Sequence, residues 1–242
     1  MNSFLLTVET VEEGLGFSHF DATHISWLIA AALLIVVNTL LFHYLDPRAR
    51  RRWMQVIAVL LLLDEVLKFS VLFIGGTYTH GYLPLHLCSI NVFVIALHAA
   101  RPGKTVGNFL YMVCIPGALA ALLFPTWTPL PVTAGMHVHS FTAHILLLMY
   151  PIVLCINGEI QVDIRYVPRS FCMLLAMAAI ALVVNLGLGT NFMFLMSADP
   201  GNPLYYFKTI WGSLLWGFPV IITGVLLLLY APLELFKARK RT

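Results

Sequence analysis

Residues 24–45 read HISWLIAAALLIVVNTLLFHYL, and the seven that follow, DPRARRR, carry four arginines. A helix needs roughly 20 residues of this apolar character to cross the hydrocarbon core of a bilayer. Lys and Arg concentrate in the cytoplasmic loops of membrane proteins. The two stretches together therefore predict a transmembrane helix that ends at a basic cytoplasmic loop.

Six further stretches have the same character and a comparable length. They are residues 53–74, 83–99, 106–124, 138–157, 167–190 and 211–232. When the loops between the seven stretches are assigned alternately to two sides, 12 basic residues fall on one side and 1 on the other. The sequence thus predicts an all-α membrane protein, a seven-transmembrane-helix bundle with its N-terminus outside and its C-terminus in the cytoplasm.

The amino-acid composition excludes a soluble globular protein. Hydrophobic residues make up 60% of the chain and charged residues 10%, whereas soluble domains contain about 25% charged residues. The net charge of +3 collects at the cytoplasmic helix ends, which favours contact with anionic lipid. We therefore expect membrane lipid as the partner, no nucleic acid and no cofactor.

The ends of the chain differ in charge. Residues 1–23 contain four acidic residues and no Lys or Arg, whereas a cleavable signal peptide needs a positive first segment. This composition predicts an external interfacial arm over 1–23, a transmembrane domain over 24–235 and a basic cytoplasmic tail over 236–242.

The second predicted helix carries three ionisable residues, Asp64, Glu65 and Lys68. Ionisable groups at membrane depth are costly and usually functional. At about 100° per residue, Lys68 lies between the two acids on one face, so the three can pair within the helix. The cluster is interpreted either as a self-neutralising structural element or as part of a polar path.

The third helix opens with LPLHLCSIN over residues 83–91. Proline suits a first helical turn, which places His86 in that turn. Helical spacing directs His86 and Cys88 to different faces, so any partner of either must come from another helix. Asn91 lies one turn further in. For Cys88 the alternative interpretation is a small buried hydrophobic residue.

The fifth helix opens with HVHSFTAH over residues 137–144. His137, Ser140 and His144 share one face, which must contact protein or water. Two turns separate the two histidines, which is too far for simple shared ligation, so no metal site is predicted. His144 lies at a depth similar to that of Cys88, and the two side chains could meet across the bundle.

Two external segments complete the pattern. PTWTPLP, residues 125–131, contains Trp127, which is expected in an interfacial aromatic belt. NLGLGTNFMFL, residues 185–195, ends the sixth helix, and its glycines permit close approach of a helix or a lipid chain.

The ordered set of motifs resembles the YwaF-type family of bacterial integral membrane proteins. The motifs are the acidic second helix, LPLHLC at 83–88, SFTAH at 140–144 and GTNFMFL at 189–195. The resemblance covers roughly residues 20–235 and implies a location in the bacterial inner (plasma) membrane. The family is related to a mammalian transmembrane acyltransferase.

The acyltransferase relative uses a cysteine near the start of one helix, in a Pro-Cys-His context, and a histidine on a later helix. His144 matches that histidine. This chain departs from the pattern at the cysteine, because Pro84 is followed by Leu85 and His86, and the cysteine is Cys88.

The leading hypothesis is a lipid-active membrane enzyme, an acyltransferase or acyl hydrolase, with its site in the outer half between the second, third, fifth and sixth helices. His144 is the predicted base, Cys88, a hydroxyl or water the nucleophile, and His86 or Asn191 the oxyanion donor. The predicted polar lining comprises Asp64, Glu65, Lys68, Asn91, Ser140 and Asn191.

Two other classes stay open. A small proton-coupled transporter would use the charged residues of the second helix and the membrane histidines as its path. A structural or sensory membrane protein would need no turnover.

Overall fold

A computed structural model describes residues 2–198 and 203–239, and within these ranges the regular structure is helical, without a strand. These ranges contain eight α-helices, and α4 includes one turn of π-helix at Leu110–Cys114. The helices are α1 Ala22–His43, α2 Pro47–Ile74, α3 Leu87–Ala100, α4 Lys104–Leu123, α5 Gly135–Ile156, α6 Val167–Leu188, α7 Pro203–Trp211 and α8 Gly217–Arg239.

Six helical segments of the described chain are long and apolar enough to cross a membrane, which confirms the predicted multi-pass, all-helical character. They are Ala22–His43, His80–Ala100, Lys104–Leu123, Gly135–Ile156, Ile164–Leu188 and Leu214–Leu235. Helix α2, with 28 residues, is also long enough to cross a membrane, but its charged residues distinguish it from these six segments.

The second helix begins earlier than the apolar pattern predicts, at Pro47 rather than at residue 53. The Asp46 carboxylate accepts hydrogen bonds from the backbone N–H of Arg48 (2.8 Å) and Ala49 (2.9 Å). Pro47 occupies the first helical position, where its missing N–H does no harm. The four arginines predicted in a loop therefore lie in the first turns of α2.

The third helix begins later than predicted, at Leu87 rather than at residue 83. A short 3-10 helix, His80–Tyr82, is followed by a turn in which Leu85 N donates to Leu83 O at 2.7 Å. His86 then has extended backbone angles and is the N-cap. The prediction that His86 lies in the first helical turn is therefore wrong by one position.

The last span also begins later, at Gly217 rather than at residue 211. Gly212 adopts φ +71° and ends α7, and a 3-10 turn at Leu214–Trp216 precedes α8. Helix α8 then continues through Pro232 to Arg239. The side chains of the predicted basic tail, residues 236–242, lie outside the described part of the chain.

Contacts divide the chain into two units, residues 1–162 and 163–242, so a single domain over 24–235 stays a prediction. In the first unit α5 contacts α1, α2, α3 and α4. Its most apolar window is 61% buried, against 11% for α1. Helix α5 is therefore the central helix, and its polar side chains must find partners on its neighbours.

In the second unit the last part of the chain has a small core of its own. Ala198, Leu204 and Leu214 are its buried residues. At the end of α6 the Asn185 side chain accepts from Phe192 N (2.7 Å) and donates to Phe192 O (3.1 Å). These bonds satisfy the buried amide within the loop that follows α6.

The segment before α1 packs against the first unit. Gly16 approaches the 128–129 backbone so closely that a Cβ atom would lie 2.0 Å from Thr128 O. The next residue, Phe17, donates its N–H to the same carbonyl at 2.8 Å. Only glycine permits this approach, which joins the N-terminal segment to the loop between α4 and α5.

Candidate functional site

A cysteine and a histidine from two helices form the centre of the candidate site. Cys88, in the first turn of α3, lies beside the His144 ring on α5, close enough for the two side chains to interact. Nδ1 of His144 lies 2.6 Å from the carbonyl oxygen of Ser140. A carbonyl only accepts, so Nδ1 carries the donated proton. The neutral ring therefore has its lone pair on Nε2, where it can accept a proton.

The Cys88–His144 pair follows from the packing of α3 on α5. The two helices place the side chains at matching depth. Neither sequence motif by itself shows where the residue of the other motif lies. Both residues are half-buried in the first unit.

Trp127 lies over the imidazole of His144. The sequence alone predicts that this residue belongs to an interfacial aromatic belt. The two rings are stacked, with centroids 5.1 Å apart and planes 16° apart, and Trp127 is only 8% exposed. Leu130 N donates to Trp127 O at 3.1 Å, which closes a turn among three prolines. This turn directs the indole into the helices rather than toward the lipid interface.

Asp64 does not pair with Lys68; it faces α5. Its Oδ1 accepts from the Thr142 hydroxyl at 2.7 Å. Asp64 Oδ2 lies 2.7 Å from Nδ1 of His139. The N–H at that Nδ1 is directed at the backbone carbonyl oxygen of Asp64, 3.2 Å away. The pair becomes an ion pair when the ring is protonated. Sequence reasoning missed both partners because they lie on another helix.

Of the two acids that the sequence offers, Lys68 pairs with Glu65. The ammonium contacts the Glu65 carboxylate and lies 4.8 Å from the centroid of the Phe69 ring. Lys68 is 5% and Glu65 6% exposed. The choice of Glu65 has a geometric cause, since Asp64 contacts His139 and Thr142 on α5 instead.

An open cavity of about 450 Å³ lies beside this ion pair. Its lining includes Lys68 from α2 and both His86 and Ser89 from the start of α3, which present a different face from Cys88. Neither Cys88 nor His144 is among the described residues that line the cavity. The site residues predicted as one group therefore occupy two places. The full lining is Val8, Glu9, Lys68, Thr79, Gly81, Tyr82, Leu83, His86, Ser89 and Thr126.

The N-terminal segment closes one wall of this cavity. The Tyr82 hydroxyl donates to Glu9 Oε2 at 2.6 Å. Partial desolvation acts to raise the pKa of Glu9, but hydrogen bonds from Tyr82 and Thr7 outweigh it and hold that pKa below its ordinary value. Glu9 is therefore a carboxylate at neutral pH, facing the same space as Lys68.

The remaining predicted residues have different surroundings. Asn91 is 2% exposed, and its Oδ1 has no hydrogen-bond partner among the described residues. Ser140 contributes its backbone carbonyl, to His144. Asn191, in the second unit, donates to Ser197 O (3.0 Å) and Oγ (2.9 Å) and accepts from Met196 N (3.0 Å). Its amide holds the loop together, which leaves the predicted oxyanion role without geometric support.

His137 holds helices together. Trp27 Nε1 donates to its Nε2 at 3.0 Å, and its Nδ1 lies 3.1 Å from Leu130 O. Within residues 2–198 and 203–239, no three His, Cys, Asp or Glu side chains group as metal ligands would.

Comparison with known proteins places these residues in a family. The model of the TMEM164 family matches residues 17–230, a range that includes α1 to α7 and most of α8. No curated protein and no solved structure matches the chain.

Proposed function

Because the chain belongs to the TMEM164 family, and because Cys88 and His144 meet across two of its helices, we propose that it is a lipid-active membrane enzyme that transfers or hydrolyses acyl groups. The observation that carries the proposal is that the side chains of Cys88 and His144 lie close enough to interact. A nucleophile bonded to a base, with the base oriented by a third group, is the arrangement that covalent catalysis requires. Ser140 O is the orienting group.

The proposed first step forms an acyl-enzyme. His144 Nε2 takes the Cys88 thiol proton, and the sulfur attacks the carbonyl carbon of a lipid ester. The carbon–oxygen ester bond breaks, and His144 returns the proton to the departing lipid alkoxide. A thioester on Cys88 and a free lipid hydroxyl result.

The second step releases the acyl group. An acceptor hydroxyl gives its proton to His144 and attacks the thioester carbon, which re-forms an ester; the departing Cys88 sulfur then takes the proton back. With water as the acceptor the product is a fatty acid. The first turn of α3 supplies backbone N–H groups without intrahelical partners, and these are suitable donors for the oxyanion in both steps.

We propose that α2 crosses the membrane in addition to the six apolar segments. With α2 as a seventh span, the N-terminus lies outside and the Cys88–His144 pair lies in the outer half of a bacterial plasma membrane. The resemblance of the sequence motifs to those of YwaF-type bacterial membrane proteins supports this assignment. The polar cavity beside Lys68 would accept the polar part of a substrate.

The orientation predicts which loops are accessible. Tyr44, between α1 and α2, is 83% exposed, and the proposal places it in the cytoplasm. In intact cells, a membrane-impermeant maleimide is expected to leave Tyr44→Cys unlabelled until the membrane is permeabilised. Val132, in the loop between α4 and α5 and 55% exposed, is the matched external position. Labelling of Tyr44→Cys but not Val132→Cys in intact cells would show the opposite orientation.

The function is tested with purified protein in phospholipid vesicles. The vesicles contain a phospholipid with an isotope-labelled acyl chain and a lysophospholipid acceptor. Label in the acceptor, or in free fatty acid, is the expected result. Absence of both over a range of head groups and chain lengths, with the protein folded, would contradict the proposal.

One observation favours a second candidate, a proton-coupled carrier: the buried Glu65–Lys68 pair adjoins an open polar cavity. Carriers place ionisable pairs beside water-accessible cavities. The same vesicles separate the two functions, because a carrier dissipates an imposed pH gradient when its solute is present and leaves acyl chains in place.

A further inference from the structure

Trp127 is built into the candidate site although it is not one of its reactive groups. Its indole stacks on His144, with ring centroids 5.1 Å and planes 16° apart. Phe141 contacts it edge-on, at 5.2 Å and 85°. Trp27 in turn stacks on Phe141, at 4.8 Å and 1°. The indole is thus held against the imidazole by a packed series of rings.

The stacking uses the face of the imidazole and does not occupy its ring nitrogens. Nδ1 is already bonded to Ser140 O, so the ring is fixed both along its edge and across its face. The face of an indole carries negative charge density and attracts a cation placed over it. A neutral histidine gains little from this contact, whereas an imidazolium gains more.

We propose that Trp127 is a positioning residue for the Cys88–His144 pair, one that fixes the plane of the imidazole and stabilises the imidazolium formed when His144 takes the thiol proton. The inference rests on the proposed function, in which that proton transfer precedes attack. It assigns Trp127 a role in the charge-separated state of the pair, beyond filling space.

Other titratable groups also act on the pair. Asp64 on α2 interacts electrostatically with His144, and Cys114 on α4 interacts electrostatically with Cys88. Substitutions at Trp127 leave both in place, so a change in the pH behaviour of Cys88 reports on the indole itself.

The test measures the rate at which iodoacetamide alkylates Cys88 as a function of pH, with the Cys88 peptide quantified by mass spectrometry. This readout needs no substrate. Trp127→Leu removes the aromatic face and is expected to move the midpoint of the profile up by about 0.4–1.5 pH units, the range that corresponds to a cation–π contact. Trp127→Phe keeps a face and loses the N–H, and less than half of that shift is expected.

Trp53→Leu is the matched control. Trp53 stacks on Tyr150, which also lies on α5, with centroids 6.0 Å and planes 15° apart. Its removal disturbs an equivalent aromatic contact at a distance from the site, so the Cys88 profile is expected to stay unchanged.

Fluorinated tryptophan keeps the test valid if Trp127→Leu does not fold. Incorporation at all five tryptophans preserves ring shape and weakens the negative face in proportion to the number of fluorines. A stepwise rise of the midpoint that disappears in the Trp127→Phe background is expected. An unchanged midpoint would overturn the inference.

Three outcomes separate this inference from the proposed function. If His144→Ala moves the Cys88 profile but Trp127→Leu, folded, does not, the role of Trp127 is wrong and the pair stands. If Trp127→Phe shifts the profile as far as Trp127→Leu, the indole N–H acts rather than the ring face, and the inference is overturned. If His144→Ala also has no effect, the pair is not coupled and the proposed function fails.

Discussion

His144→Ala is expected to lower the rate of acyl transfer by roughly 10²–10⁴-fold, the usual contribution of a general base. The ring holds Nε2 as its proton acceptor because Nδ1 is engaged with Ser140 O at 2.6 Å. Alanine removes that acceptor from beside the Cys88 thiol. The measurement is the initial rate of label transfer in vesicles, normalised to folded protein.

Cys88→Ser is expected to produce a loss at least as large, since a hydroxyl is a much weaker nucleophile than a thiol near neutral pH. Two variants control for cysteine and histidine replacement in general. Cys172→Ser and His43→Ala alter exposed residues on other helices and are expected to retain the wild-type rate. A His144→Ala protein that folds and keeps more than a tenth of the rate would exclude the proposed base.

Lys68→Met and Glu65→Gln are each expected to destabilise the protein by about 3–5 kcal/mol, because each leaves a buried partner without its counter-charge. Both side chains of the pair are buried, with Lys68 5% and Glu65 6% exposed. Asp64→Asn is expected to have a smaller effect, since the Glu65–Lys68 pair stays intact. Unfolding in detergent, by heat or denaturant, measures the changes.

The double variant Lys68→Met/Glu65→Gln is expected to recover part of the loss, because neither group is then a buried, unpaired charge. Lys104→Met, at an exposed lysine, controls for removal of a positive charge. Wild-type stability in Lys68→Met, or single-variant losses that simply add in the double variant, would contradict the pairing.

The apolar stretches were sufficient to predict a helical, multi-pass membrane protein, because about 20 apolar residues are needed wherever a helix crosses the bilayer. Helix ends were less predictable, since they depend on local capping. Asp46 and Pro47 start α2 within a polar segment, and the turn at residues 83–85 delays α3. The Asp46-Pro47 pair is itself a sequence signal for a helix start.

Within the site, matching helical depth was enough to indicate that Cys88 and His144 could meet. The sequence alone does not identify the partner of Lys68, because both acids lie close enough on the same helix to pair with the lysine. Thr142 and His139, on α5, decide the matter by binding Asp64.

Trp127 was missed for a related reason. Its loop has no periodic pattern that shows which way an aromatic ring points. Only the turn formed by the prolines around it, together with the packing of α5, directs the indole onto His144.

The central claim, that Cys88 carries the acyl group, is tested most directly by the mass of its peptide. The protein is incubated with a phospholipid bearing an isotope-labelled acyl chain, without an acceptor, and quenched in acid. The account predicts a labelled acyl group on the Cys88 peptide, released by neutral hydroxylamine as a thioester is, and absent from His144→Ala. Acyl transfer at the wild-type rate with an unmodified Cys88 peptide, or an unchanged rate in Cys88→Ser, would contradict it.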